Sequence, residues 1–165
     1  MRWGSVLKAA QGYGLAPLLG SSTGVGAVGY TLGGGMGWLA RKYGLACDHV
    51  LRFEAITAQG EIITASAEEQ PELFWALRGG GGANYALVTA MDVRLFPVAQ
   101  VYGGSLLYPA EMARAVFQRF RAWAGTLPDE MTASVLIMHY PDSLDVPDPV
   151  RGRACAVVRG CHAGD

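Results

Sequence analysis

Apolar positions in this chain recur with two different periods, and the switches between them outline its elements. Across residues 3–13, Val6, Leu7 and Ala10 fall at helical spacing, which predicts a short amphipathic helix ended by Gly12 and Gly14. Residues 49–57 alternate instead, with Val50, Arg52, Glu54 and Ile56 on one side and Leu51, Phe53 and Ala55 on the other. That is a strand; Ala58-Gln59-Gly60 makes a turn, and residues 61–65 return as the second arm of a hairpin. Residues 71–78 predict a helix, with Pro71 at its first position, Glu72 in its first turn, and Leu73, Phe74 and Leu77 along its apolar side. Strands follow over 87–95 and 101–107. Residues 110–124 carry the clearest helical stripe, Met112, Val116, Phe120 and Trp123, against Arg114, Gln118 and Arg121. Two further strands, 132–139 and 154–162, flank a loop, PDSLDVPDPVRG, whose acids read as a solvated face.

One stretch follows neither period. Residues 20–48, GSSTGVGAVGYTLGGGMGWLARKYGLACD, contain Gly20, Gly24, Gly26, Gly29, Gly33, Gly34, Gly35, Gly37 and Gly44. Glycine adds no packing area and loses the most backbone entropy on folding, so such a run gains nothing in a core. It suits a place where backbone approaches a ligand closely or turns through positive φ. Exposed amides in such a loop, followed by a helix start, match a pyrophosphate or the polar edge of a ring cofactor. A flexible linker is polar, whereas these glycines alternate with Val25, Val28, Tyr30, Leu32, Met36, Trp38 and Leu39. Residues 36–43 predict a helical turn or two, with Arg41 and Lys42 near the C-terminal end and Gly44 as terminator. Gly24 to Gly29 also fits G-x-G-x-x-G. That fingerprint needs a strand before it and an acidic residue about 20 residues on. GYGLAPLLGSS is a poor strand, and no hydrophobic strand leads into Asp48. An NAD-binding Rossmann protein therefore stays as an alternative.

Composition narrows the classes. The chain has 165 residues, 51% hydrophobic and 16% charged, against about a quarter charged in a typical soluble chain. One explanation is that much of its surface is covered by something else. A formal net charge of −1 without a basic cluster argues against a nucleic-acid partner. No apolar run reaches the roughly 18 residues of a membrane span, and the opening MRWGSVLKAA has no signal-peptide pattern. Cys47, Cys155 and Cys161 are an odd number without framework or metal-ligand spacing, which points to reduced thiols and a cytoplasmic setting. No metal site is expected. Walker, zincin and nucleophile-elbow motifs are absent from the sequence.

Three ordered motifs carry a resemblance. VGAVGYTLGGGMGWLARKYGLACDHV, the hairpin around ITAQGEIITA, and PELFWALRGGGGANYALVT resemble the FAD-linked oxidases of the vanillyl-alcohol oxidase and p-cresol methylhydroxylase (PCMH) superfamily, in particular their berberine-bridge-enzyme-like branch. The resemblance runs from about Trp3 to Pro97 and continues more weakly to the end. It implies an α+β fold. Residues 1–98 would be the C-terminal lobe of a PCMH-type FAD-binding domain, a mainly antiparallel sheet with flanking helices. Residues 99–165 would be the truncated start of an α+β substrate domain. A composition shift over residues 97–104 agrees with a boundary there. Set against the family, the chain reads as an internal fragment or a truncated reading frame.

By the same resemblance Gly26, Gly29, Tyr30, Gly33, Gly34 and Gly37 would run along the flavin. Tyr30 stands where the family has His or Tyr, with a packed aromatic as the plain alternative. Ser22 stands where doubly linked members carry a flavin-bonding Cys, and serine cannot form that thioether. FAD is thus the expected cofactor, not bicovalently held, and any covalent histidine lies outside this chain. Asp48 would lie near the cofactor's phosphate or ribose end, or else fix its own turn. Val88 would meet adenine through its backbone, or else belong to strand core. Ala83 and Ala86 replace two family glycines and put the tightness of that turn in question. His49 is expected to be exposed, and Thr31 to lie near the flavin's oxygen side. No catalytic residue is named, as befits chemistry that belongs to a cofactor. The expected partners are a small-molecule substrate and the missing N-terminal lobe, with no nucleic acid and no membrane. A non-catalytic remnant or interaction module is the other alternative.

Overall fold

The computed structural model describes residues 1–164, the side chain of Ala83 apart. It divides into two units, residues 1–100 and residues from 101 onward. The first contains α1 (Trp3–Gln11), α2 (Ala27–Leu32), α3 (Ala40–Tyr43), β1 (Val50–Ile56), β2 (Ile62–Ser66), α4 (Pro71–Leu77) and β3 (Leu87–Val93). Its sheet has the order β2-β1-β3, antiparallel throughout. Phe53 at the centre of β1 faces Ala65 on one side and Met91 on the other. α4 lays Phe74 and Leu77 over this face, and Leu32 and Val50 complete a buried cluster with them.

A bulge modifies the alternation predicted for β1. Val50 pairs with Val93 and Arg52 with the next residue of β3, Asp92, so Leu51 is extra. The added residue turns Val50 inward with Phe53 and Ala55 and leaves Leu51 half exposed. Two expectations about the glycine-rich stretch also change. Residues 27–32 form α2 rather than loop, and the helix expected over 36–43 is confined to Ala40–Tyr43. α2 forms because Ala27, Thr31 and Leu32 bury one side of the turn. Burial of that side outweighs the poor helix propensity of Gly29. Main-chain bonds also tie its start to the beginning of α1: Trp3 N–H to Val25 O at 3.0 Å, Gly4 N–H to Thr23 O at 2.8 Å, and Ala27 N–H to Met1 O at 3.1 Å.

The second unit contains β4 (Tyr102–Pro109), a 3-10 turn (Ala110–Met112), α5 (Ala113–Ala124), β5 (Met131–His139) and β6 (Ala154–His162). The strand order is β4-β6-β5, again antiparallel, with Cys155, Ala156 and Val157 of the central strand buried. In the loop before β6, the Arg151 guanidinium donates to the Ser143 and Val146 carbonyls and pairs with Asp148 at 2.6 Å. The chain is thus α+β, as the resemblance implies. Among the described residues no helix is long and apolar enough to cross a membrane. Both sheets are antiparallel and no strand precedes Gly24, so the Rossmann alternative finds no support in the topology.

Candidate functional site

The two glycine-rich motifs, far apart in sequence, meet in the first unit. Gly81 N–H donates to Leu32 O at 2.9 Å, at the end of α2. Gly82 closes on Leu32 so tightly that a Cβ there would stand 2.2 Å from Leu32 Cδ1. The turn before β1 joins them: Ala46 N–H donates to Gly35 O and Cys47 N–H to Gly34 O, both at 3.0 Å. The two glycine-rich motifs therefore converge on residues 32–35, together with the turn at residues 46–47.

Space around each glycine separates those needed by the fold from those it leaves unexplained. A Cβ on Gly37 would lie 2.0 Å from Leu19 O, and one on Gly35 would lie 2.6 Å from Ala46 Cβ and 2.8 Å from Tyr30 Cε1. Those two are glycine because chain packs against chain. Gly26 and Gly29 are different. Both are exposed, and nothing stands within 4 Å of an added Cβ at either. With Gly33, also exposed, they form one row along α2. No side chain caps the start of this helix at Gly26; its first amide, Ala27 N–H, is taken up by Met1 O. Ser22 stands beside this start, exposed, its hydroxyl accepting Gly24 N–H at 3.3 Å. Gly34, half-buried at φ +102°, has open space at its Cβ position.

The other site residues sit as follows. Tyr30 points inward: its ring meets Trp3 edge-on at 5.8 Å between centroids and is enclosed by Gly20, Gly35 and Gly37. Burial pushes its phenol up to about 12, and the hydroxyl has no hydrogen-bond partner. Thr31 is fully buried and donates to Ala27 O at 2.9 Å, which corrects the expectation of a hydroxyl near the flavin. Asp48 is exposed and accepts Leu45 N–H at 3.0 Å, so its carboxylate holds its own turn. Val88 packs half-buried against the core cluster. His49 is half-buried, not exposed; its Nε2 bonds the Tyr43 carbonyl and its ring meets Phe96 edge-on at 4.8 Å. At the 78–89 loop, Gly79 and Gly81 take positive φ and residues 82–84 make a 3-10 turn. The question raised by the side chain of Ala83 lies outside the described residues.

Sequence reasoning passed over Arg78 and undervalued Cys47. Arg78 ends α4 with its guanidinium over the Phe74 ring, 4.7 Å from the centroid. Its Nε is buried without a partner. Cys47 is buried, its Sγ 3.6 Å from the Cβ position of Gly79. Burial, then the neighbouring Asp48 carboxylate, push its thiol up, while Arg78 pulls the other way. A signal for Arg78 was present: a cation placed at the junction of an apolar helix and a run of four glycines. A side-chain-free exposed row and a half-buried cation without a carboxylate partner fit a cofactor with a flat ring and an anionic tail.

The second unit offers a groove of about 450 Å³ between α5 and the sheet, with Leu106, Met112, Phe120 and Trp123 in its lining and Tyr108 and Arg119 as polar groups. None of the sequence-predicted site residues lines it.

Comparison with known proteins bears on the family. Residues 1–66 match the FAD binding domain family. The chain is 37% identical over 136 residues to an FAD-linked oxidoreductase of Bacillus subtilis, YgaK, a match covering 80% of this chain and 30% of that protein. It is also 37% identical over 126 residues to (R)-6-hydroxynicotine oxidase of Paenarthrobacter nicotinovorans, covering 76% and 24%. The crystal structure of 6-hydroxy-D-nicotine oxidase from Arthrobacter nicotinovorans superposes with a TM-score of 0.82 at 30% identity, over 100% of this chain and 35% of that one. A Physcomitrella patens berberine-bridge-enzyme-like protein gives 0.83 at 27%, over 100% and 34%. The chain thus spans about a third or less of the length of these relatives. On two glycine-rich motifs that meet in space and on these likenesses, the chain belongs to the FAD-linked oxidoreductases of the vanillyl-alcohol oxidase and PCMH superfamily, and FAD is its cofactor.

Proposed function

We propose that this chain is part of an oxidoreductase that removes hydride from a C–H beside an alcohol or amine, with oxygen or another acceptor completing the cycle. In this reading residues 1–98 are the C-terminal lobe of the FAD-binding domain and residues 99–165 begin the substrate domain. When bound, FAD supplies the hydride acceptor; the protein supplies binding and orientation. The carrying observation is the exposed row Gly26, Gly29, Gly33, whose missing side chains the fold itself does not explain. A flat ring system lying on that row would meet backbone alone.

Ser22 and Cys47 support a cofactor that is not bicovalent. Serine has no sulfur to offer, and Cys47 is buried with a thiol shifted away from thiolate. Any histidine tether is assigned, on the family resemblance, to a part of the protein outside this chain; His49 is engaged with Tyr43 and Phe96. A small-molecule substrate and the N-terminal lobe are the partners in this reading. A cytoplasmic setting is part of it too, supported by three buried free thiols.

The chain alone would bind FAD weakly and turn over no substrate, since it spans a minority of its relatives' length. Thermal melts with FAD and with NAD test this. FAD should raise Tm in a concentration-dependent way and NAD should not. No rise with saturating FAD would defeat the reading; a rise with NAD alone would restore the Rossmann alternative.

A further inference from the structure

Arg78 poses a question that the packing of the first unit does not answer. It is half-buried, its Nε is shielded from solvent, and no acceptor lies within reach of that atom. No ion pair to Arg78 is found among the described residues, and the nearby Asp48 carboxylate is engaged with Leu45 N–H and Cys47 Sγ. An arginine removed from water normally has a carboxylate or phosphate partner, because its desolvation is otherwise uncompensated. The Phe74 ring covers one face of the guanidinium at 4.7 Å. Stacking orients the plane but does not meet the in-plane Nε–H.

The surroundings narrow the missing partner. Arg78 leads directly into Gly79–Gly82, the loop whose Gly81 N–H bonds Leu32 O at the end of α2. Gly79 lies against Gly34, 3.8 Å from its Cα to the Cβ position of Gly79. The guanidinium is also close enough to Cys47 for its charge to act on that thiol. It therefore lies where the two glycine motifs meet.

We infer that Arg78 is a positioning residue for the cofactor, its planar guanidinium holding the diphosphate of FAD by charge-assisted hydrogen bonds. The inference rests on the FAD reading above. Among the parts of FAD, the diphosphate is the permanent anion, and the fork of an arginine matches two phosphate oxygens at once. The ring and the diphosphate are then held by different means: the ring by bare backbone along α2, the diphosphate by one guanidinium.

The test measures binding of FAD and of riboflavin, which lacks the diphosphate, to the full chain by quenching of flavin fluorescence. Wild type should bind FAD more tightly than riboflavin. Arg78→Gln should weaken FAD by about 10- to 100-fold, the range for a hydrogen bond to a charged group, and leave riboflavin unchanged. Arg78→Lys should recover part of the loss, because it keeps the charge without the fork. Equal affinity of wild type for FAD and riboflavin would overturn the inference even if Arg78→Gln failed to fold. So would an Arg78→Gln chain that keeps wild-type FAD affinity, or one that loses riboflavin and FAD alike. If wild type binds neither flavin, the FAD reading falls first and this inference with it.

Discussion

Gly29 and Gly37 belong to one glycine-rich segment, yet they are glycine for opposite reasons. Gly37 lies against the main chain of Leu19, with no room for a methyl group. Gly29 lies in the open on α2, with room for almost any side chain. The first is a demand of the fold, visible in the packing. The second costs the helix stability and returns nothing inside the described residues. The contrast teaches that glycine content alone does not locate a cofactor; the glycines that packing leaves unexplained do.

Substitutions at the two ends sharpen this contrast. Gly37→Ala carries the largest expected effect. Its Cβ would stand 2.0 Å from Leu19 O, and a backbone atom cannot step aside as a flexible side chain can. The cost should reach or exceed the roughly 3 kcal/mol upper end of ordinary overpacking, read as a lower urea midpoint or loss of soluble protein. A Gly37→Ala chain as stable as wild type would show that the segment is not packed as described.

Gly29→Ala should act in the other direction on stability and against the cofactor. Alanine in an exposed helical position gains about 0.5–1 kcal/mol over glycine. The same methyl group would stand on the row where FAD is proposed to lie, so FAD affinity should fall while Tm without FAD rises. An alanine that stabilises the chain and leaves FAD affinity intact would move the cofactor off α2.

Tyr30→Phe should have the smallest effect at neutral pH. The hydroxyl it removes is buried without a partner, so the loss should stay within about 1 kcal/mol. The difference emerges in alkali. Burial raises the folded phenol from its ordinary value of 10.0 to about 12. Below pH 10 both folded and unfolded chains keep the proton, and the contribution is fully present. Between pH 10 and 12 the unfolded chain releases it first, so wild-type stability should fall through that window. Tyr30→Phe should lack this component, measured as the gap between urea midpoints at pH 8 and pH 11. An identical gap in both chains would mean that Tyr30 is not enclosed.

Much of the architecture was legible in the order of residues. The hairpin, α4, α5 and the strands of the second unit follow from apolar spacing, because period 2 and period 3.6 are local properties that survive into the fold. The site was legible as a set of motifs but not as an arrangement. Tyr30 and Gly37 read as ligand contacts next to Gly29, and only packing divides them into an inward group and an outward row. The bulge at Leu51 was illegible for a related reason: which of two registers β1 adopts depends on β3, far along the chain.

Residue order by itself determined the family, with the α+β class that it implies, and the element spans outside the glycine-rich stretch, since each rests on patterns read along the chain. Tertiary structure alone decided which glycines face out, where Arg78 lies and that Thr31 is spent on Ala27. Those outcomes depend on the distance between residues remote in sequence. Burial, steric room and an unpaired charge exist only once the chain has brought such residues together.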